Sequence, residues 1–211
     1  MRYCTNKYNL LLVLTAALAI VMLSPSAATA DGIAVHKAEI RMTENGYQLT
    51  ANFDIRLTIL LEQALTHGIT LNFISEFTLT RSRWYWLDEV TTRTEDTTKL
   101  SYSALTRQYR IKRGTLFQNF SNLDDALRAL GNQSSDPIPV DLLNKSSGYF
   151  ASLLTTSSNY TAYARMWLDL SQLPKPLQVN ALTSDDWKLD SEGYSWILTP
   201  SEIARARKVV Q

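Results

Sequence analysis

The residue types that do chemistry are sparse in this 211-residue chain. His36 and His67 are its only histidines, 31 positions apart and outside any His-Glu-x-x-His spacing. That leaves a metal centre dependent on carboxylates brought in by the fold. Cys4 is the single cysteine. A Gly-x-Ser-x-Gly nucleophile turn is absent, as are Gly-rich phosphate-cradling patterns. Acidic neighbours occur at Asp88-Glu89, Glu95-Asp96, Asp124-Asp125 and Asp185-Asp186. Glycoside hydrolysis needs two carboxyls facing each other across a sugar, about 5–9 Å apart, and adjacency in sequence does not supply that. The spacing therefore names no catalytic residue, no metal ligand and no cofactor.

One concentration of unusual residues stands out. Arg81, Arg83, Trp84, Tyr85 and Trp86 fall within six positions, and Tyr102, Arg107, Tyr109, Arg110, Lys112 and Arg113 follow some twenty later. Aromatic rings offer flat stacking faces, and guanidinium forks match carboxylate or phosphate. As a binding surface, this set suits an envelope glycan, an anionic lipid headgroup or an acidic protein. As a brace, it suits Arg stacked on Trp across neighbouring strands, worth about 0.5–2 kcal/mol per contact. Strand parity decides what is exposed. Alternation running unbroken from Phe73, Phe77 and Leu79 puts Arg81, Arg83 and Tyr85 on the core side and Trp84 and Trp86 outside; a bulge near Ser82 reverses that.

The elements that position these residues are mostly strands. Tyr47, Leu49, Ala51, Phe53, Ile55 and Leu57 alternate with polar residues, a half-buried strand. Asn45-Gly46 is a tight-turn signal and pairs that strand with residues 33–42. Leu60, Leu61, Ala64 and Leu65 predict a short helix stopped by Gly68. A second long strand starts at Ile69 and runs into the basic aromatic stretch. Residues 88–98 are polar and read as a loop, and 100–112 as a third long strand that turns at Arg113-Gly114 into residues 116–120. Ser121-Asn122-Leu123-Asp124 predicts a capping box and a helix stopped by Gly131. Residues 132–139 read as a linker and 140–155 lean to a short helix. Residues 160–170 return to strand alternation, short strands are expected near 178–182 and 194–198, and Thr199-Pro200-Ser201-Glu202 opens a basic tail helix. One-faced strands joined by hairpins argue for antiparallel sheet. The expected fold is mainly β, an antiparallel β-sandwich or curved sheet with two or three short helices.

The N-terminus predicts export. Arg2 and Lys7 precede an apolar run at 10–23, shorter than the about 20 residues a bilayer span needs. Ala28-Thr29-Ala30 is a small-x-small cleavage site, so residues 1–30 read as a signal peptide and 31–211 as one exported domain beginning at Asp31. Cys4 precedes the apolar run, which leaves the exported part without cysteine and excludes disulfides and thiol chemistry there. Two of the 21 Lys and Arg, and none of the 20 Asp and Glu, lie in residues 1–30; the remainder holds 19 cations against 20 anions, a net charge of −1. A neutral chain has no global field for nucleic acid, so a charged site must be local.

Four motifs occur together: Arg81-Ser82-Arg83-Trp84-Tyr85-Trp86-Leu87-Asp88-Glu89; Leu100-Ser101-Tyr102 with Leu105-Thr106-Arg107-Gln108-Tyr109-Arg110; Leu168-Asp169-Leu170-Ser171-Gln172-Leu173-Pro174-Lys175-Pro176; and Asp186-Trp187. In that order, behind a signal peptide, they resemble the uncharacterised proteobacterial exported family known as domain of unknown function 4390. The resemblance spans about residues 33–198 and is weakest over 143–159. It implies a periplasmic location, no established activity and no catalytic residues to carry over. It also suggests a partner, a nitrogen-type two-component sensor kinase, beside which members are often encoded. The expected function is a periplasmic, non-enzymatic binding or interaction module, whose partner is an envelope protein, an anionic lipid or a glycan. The alternative is an envelope glycan hydrolase pairing Asp88 or Glu89 with Asp169 or Glu76.

Overall fold

Period-two alternation dominates the computed structural model, which describes residues 32–81, 89–144 and 160–208. The first hairpin joins β1 (Gly32–Thr43) to β2 (Gly46–Arg56), with a two-residue turn at Glu44-Asn45. Tyr47, Leu49, Ala51, Phe53 and Ile55 all point into the core. Helix α1 (Ile59–Thr66) is capped by the Thr58 hydroxyl, which accepts from the Leu61 N–H. It ends where Ile69 N–H reaches Ala64 O and Gly68 N–H reaches Leu65 O, a Schellman closure. Its Leu61 and Leu65 are fully buried.

The remaining strands build a larger sheet. They are β3 (Leu71–Arg81), β4 (Glu89–Ser103), β5 (Gln108–Arg113), β6 (Leu116–Phe120), β8 (Tyr160–Leu168) and β9 (Tyr194–Leu198), in the order β6-β5-β4-β3-β8-β9. β7 (Asn132–Ser134) joins the first hairpin to give the small sheet β1-β2-β7. Every ladder is antiparallel. The core lies between the sheets, where Phe73, Phe77 and Leu79 of β3 and Ala162, Ala164 and Met166 of β8 join the β2 side chains. Helix α2 (Leu123–Gly131) packs on β2 and β5. Gly131 lets it end there, because a Cβ at that position would sit 2.0 Å from the Phe53 carbonyl oxygen. The fold is thus mainly β, two antiparallel sheets with short helices. Among the described residues no helix is long and apolar enough to cross a membrane.

Several local expectations are corrected. Residues 89–98 are strand, not loop: Thr92, Thr94, Asp96 and Thr98 take the inner face and Arg93, Glu95, Thr97 and Lys99 the outer. β-branched residues hold that strand although hydrophobicity does not mark it. Residues 100–112 are two strands, because Ala104, Leu105, Thr106 and Arg107 form a turn without glycine or proline. Residues 132–134, expected as linker, form the edge strand β7, and Ile138 bridges to Tyr47. The cap of α2 is Asn122 rather than Ser121; its side chain accepts from Asp125 N–H at 2.7 Å. Residues 175–183 form helix α4 (Lys175–Thr183), with Pro176 in its first turn, where a strand had been expected. Helix α3 (Val140–Asn144) begins the expected short helix, whose later part lies outside the described residues. The tail helix α5 (Pro200–Lys208) opens on its capping box, Thr199 N–H to Glu202 Oε2 at 2.9 Å and Glu202 N–H to Thr199 Oγ1 at 3.3 Å.

Candidate functional site

Arg81, Arg107, Tyr109 and Arg110 are the candidates within the described residues; Arg83, Trp84, Tyr85 and Trp86 lie outside them. The sheet separates the four. β3 runs from Leu71, beside Leu100, to Arg81, beside Glu89, and Arg110 lies beside Ser101, one step beyond Leu100. At about 3.3 Å per residue, Arg81 and Arg110 stand about 35 Å apart along the strands. Parity carries Arg81 to the core side, as unbroken alternation from Phe73 predicts. The register shift falls in β4, where Thr91 is the extra residue between Val90 and Thr92.

At the other end of the sheet, β4 and β5 build a face. Tyr102 pairs with Tyr109 and Leu100 with Ile111, so these point inward. The two tyrosine rings lie 4.9 Å apart at 47°. Burial, reinforced by the neighbouring Tyr102, pushes the Tyr109 hydroxyl pKa up. Tyr109 is therefore a brace beneath the sheet. Alternation sends Arg110 and Lys112 to the outer face, where Lys112 stands directly opposite Lys99 and Arg110 opposite Ser101. Arg110 Nε donates to Asn119 Oδ1 at 3.1 Å, and the Lys112 ammonium lies 5.8 Å above the centre of the Phe117 ring. Arg107 closes the turn in left-handed backbone, φ 52°, which costs an L-residue about 1–2 kcal/mol.

Towards β5 the outer face is cationic, because Glu95 and Glu76, the acids it carries on β4 and β3, are taken up by Arg93. Lys37, Arg41, Arg56, Arg93, Arg128, Arg165 and Lys188 all sit in ion pairs. Among the described residues, Lys99, Arg107, Arg110 and Lys112 have no such partner. Arg113, on the inner face, donates to Thr98 Oγ1 at 3.3 Å and Asn132 O at 3.1 Å and ties the two sheets together. Lys99 is hidden in the sequence because the polar residues 88–98 read as a loop and the strand as starting at Leu100. The signal was there in the Thr-Arg-Thr-Glu-Asp-Thr-Thr-Lys alternation of 92–99.

Of the carboxylates weighed for hydrolysis, Glu76 and Asp169 lie within the described residues. Glu76 is held by Arg93 at 3.1 Å and by the Thr78 hydroxyl. Asp169 caps a 3-10 turn through Ser171 N–H at 3.0 Å. Asp169 lies beside Asn72, four residues along β3 from Glu76, or about 13 Å at strand spacing. Asp88 and the Glu89 side chain lie outside the described residues. His36 is exposed at the β1 bulge, and His67 Nδ1 contacts Gln63 O at the end of α1.

No curated protein and no solved structure matches the chain significantly. The family described as domain of unknown function (DUF4390) matches residues 30–197, and the protein belongs to it.

Proposed function

We propose that the protein is a non-enzymatic binding module of the periplasm that docks an anionic partner on the outer face of β4, β5 and β6. The carrying observation is Lys99 opposite Lys112, beside Arg110, with no carboxylate among the described residues paired to any of them. Like charges directly opposite destabilise a sheet, and stability given up on a surface is a mark of use. The cations stand on adjacent strands of a sheet face, which suits a protein surface, whereas small molecules take concave sites. The N-terminal pattern of Arg2, Lys7, the apolar run at 10–23 and Ala28-Thr29-Ala30 supports export. The family resemblance supports an accessory role beside an envelope sensor kinase, whose periplasmic part would carry the acidic surface.

A photo-crosslinker placed at Phe117 in living cells is expected to trap this partner, and the adduct should vanish with Lys99→Glu/Lys112→Glu. The same group at Val179, exposed on α4, is expected to give no such adduct. Identical adducts from both positions, or an adduct indifferent to the charge reversal, count against the proposal. The fractionated protein is expected in the periplasm with Asp31 as its first residue; a cytoplasmic protein retaining Met1 contradicts the location.

A further inference from the structure

The edges of the two sheets are unequal. β1 is bulged at His36, carries Lys37 and Arg41, and has α5 against it. β7 is three residues long, and β9 lies beside β1. These are the means by which sheets blunt their edges. Among the described residues β6 has helix α2 touching it, but four of its five residues stay exposed. Leu116-Phe117-Gln118-Asn119-Phe120 has no charge and its ladder no bulge. Leu116 is 73% and Phe117 62% exposed. The two-residue turn at Gly114-Thr115 closes on the pair Arg113 and Leu116. In the alternation that follows, Phe117 and Asn119 direct their backbone N–H and C=O away from β5. The two cations of β5 lean the same way, Arg110 onto Asn119 and Lys112 over Phe117. Unpaired backbone groups and unpaired positive charge therefore run along one line.

We infer that β6 receives an extended acidic segment of the partner protein as an added strand. Main-chain hydrogen bonds at Phe117 and Asn119 would hold it. Its acids, at alternate positions, face Arg110 and Lys112, and its apolar side chains lie on the other face beside Leu116. The inference rests on the anionic-docking reading above and adds the mode of binding. A second copy is a poorer occupant, because pairing β6 with β6 brings two rows of Arg110 and Lys112 onto one continuous face.

The test is amide hydrogen exchange on the labelled chain with a synthetic peptide of alternating Glu and Val, against a matched Lys and Val peptide. The acidic peptide is expected to slow exchange at Phe117 and Asn119, and the basic one to have no effect. Asn119→Pro removes an outward N–H without breaking the β5–β6 ladder. It is expected to weaken the acidic peptide about tenfold, as loss of a backbone hydrogen bond implies, and more than Asn119→Ala does. Shifts at Lys99, Arg110 and Lys112 without protection of Phe117 and Asn119 would overturn edge addition and leave the basic docking face standing. Indifference to both the acidic peptide and polyglutamate overturns both readings. Protection that grows with protein concentration alone assigns the edge to a second copy and overturns the acidic segment. If Asn119→Pro does not fold, the exchange pattern of the unmodified chain decides alone.

Discussion

Lys99 faces Lys112 across the β4–β5 ladder, and among the described residues no carboxylate pairs with either. A lysine-to-glutamate change at 99 turns that repulsion into attraction. Lys99→Glu is expected to raise stability by about 0.2–1 kcal/mol in urea unfolding while weakening anionic binding. Unchanged or lower stability would show that the pair is not under strain. Arg107 belongs with it: Arg107→Gly relieves the left-handed backbone at φ 52° and is expected to stabilise by about 1 kcal/mol. Asp96, on the inner face, carries a further cost. Burial, with Asp136 adding to it and Arg113 opposing, raises its pKa above the usual aspartate value. An aspartate whose folded pKa exceeds its unfolded one binds its proton more tightly when folded. Its contribution is therefore fully present below the unfolded pKa and lost as pH rises through the folded one. Asp96→Asn is expected to stabilise near pH 7 and to gain nothing near pH 3, where both states are protonated. Urea unfolding at the two values checks the sign.

The elements show what their sequences announce and what they hide. Gly131 at the end of α2 stands against the Phe53 carbonyl. Gly131→Ala is expected to cost about 1–3 kcal/mol by overpacking, read as a lower urea midpoint; a neutral result would mean that α2 shifts freely on β2. Helices α1 and α5, the first hairpin and β8 are legible because period and caps agree there. The turn of Ala104, Leu105, Thr106 and Arg107 is not, since none of its residues is a turn former. That turn matters for the site. An unbroken strand would put Arg110 and Lys112 on the face of Leu100, inside. The four-residue turn reverses the parity, pairs Tyr102 with Tyr109 and sends both cations outward. β7 hid for another reason: three residues of edge strand carry too short a period to be read, and its partners on β2 lie some eighty positions away in sequence. Composition identified Arg107, Arg110 and Lys112; only register could add Lys99 and separate Arg81.

For the whole molecule, the near-zero net charge makes the basic face a local feature, so its effect must be separable from total charge. Binding of labelled polyglutamate provides that separation. The unmodified chain is expected to bind and to weaken as salt rises, because exposed charges are screened over about 8 Å at physiological ionic strength. Lys99→Glu/Lys112→Glu is expected to lose about tenfold or more in affinity, as reversal at a complementary charged face implies. Lys37→Glu/Arg56→Glu changes the net charge by the same amount at cations already paired with Glu39 and Asp54. Only the first double reversal is expected to cause that loss. Equal affinity in the unmodified chain and in Lys99→Glu/Lys112→Glu, or equal loss in both double reversals, would contradict the proposal.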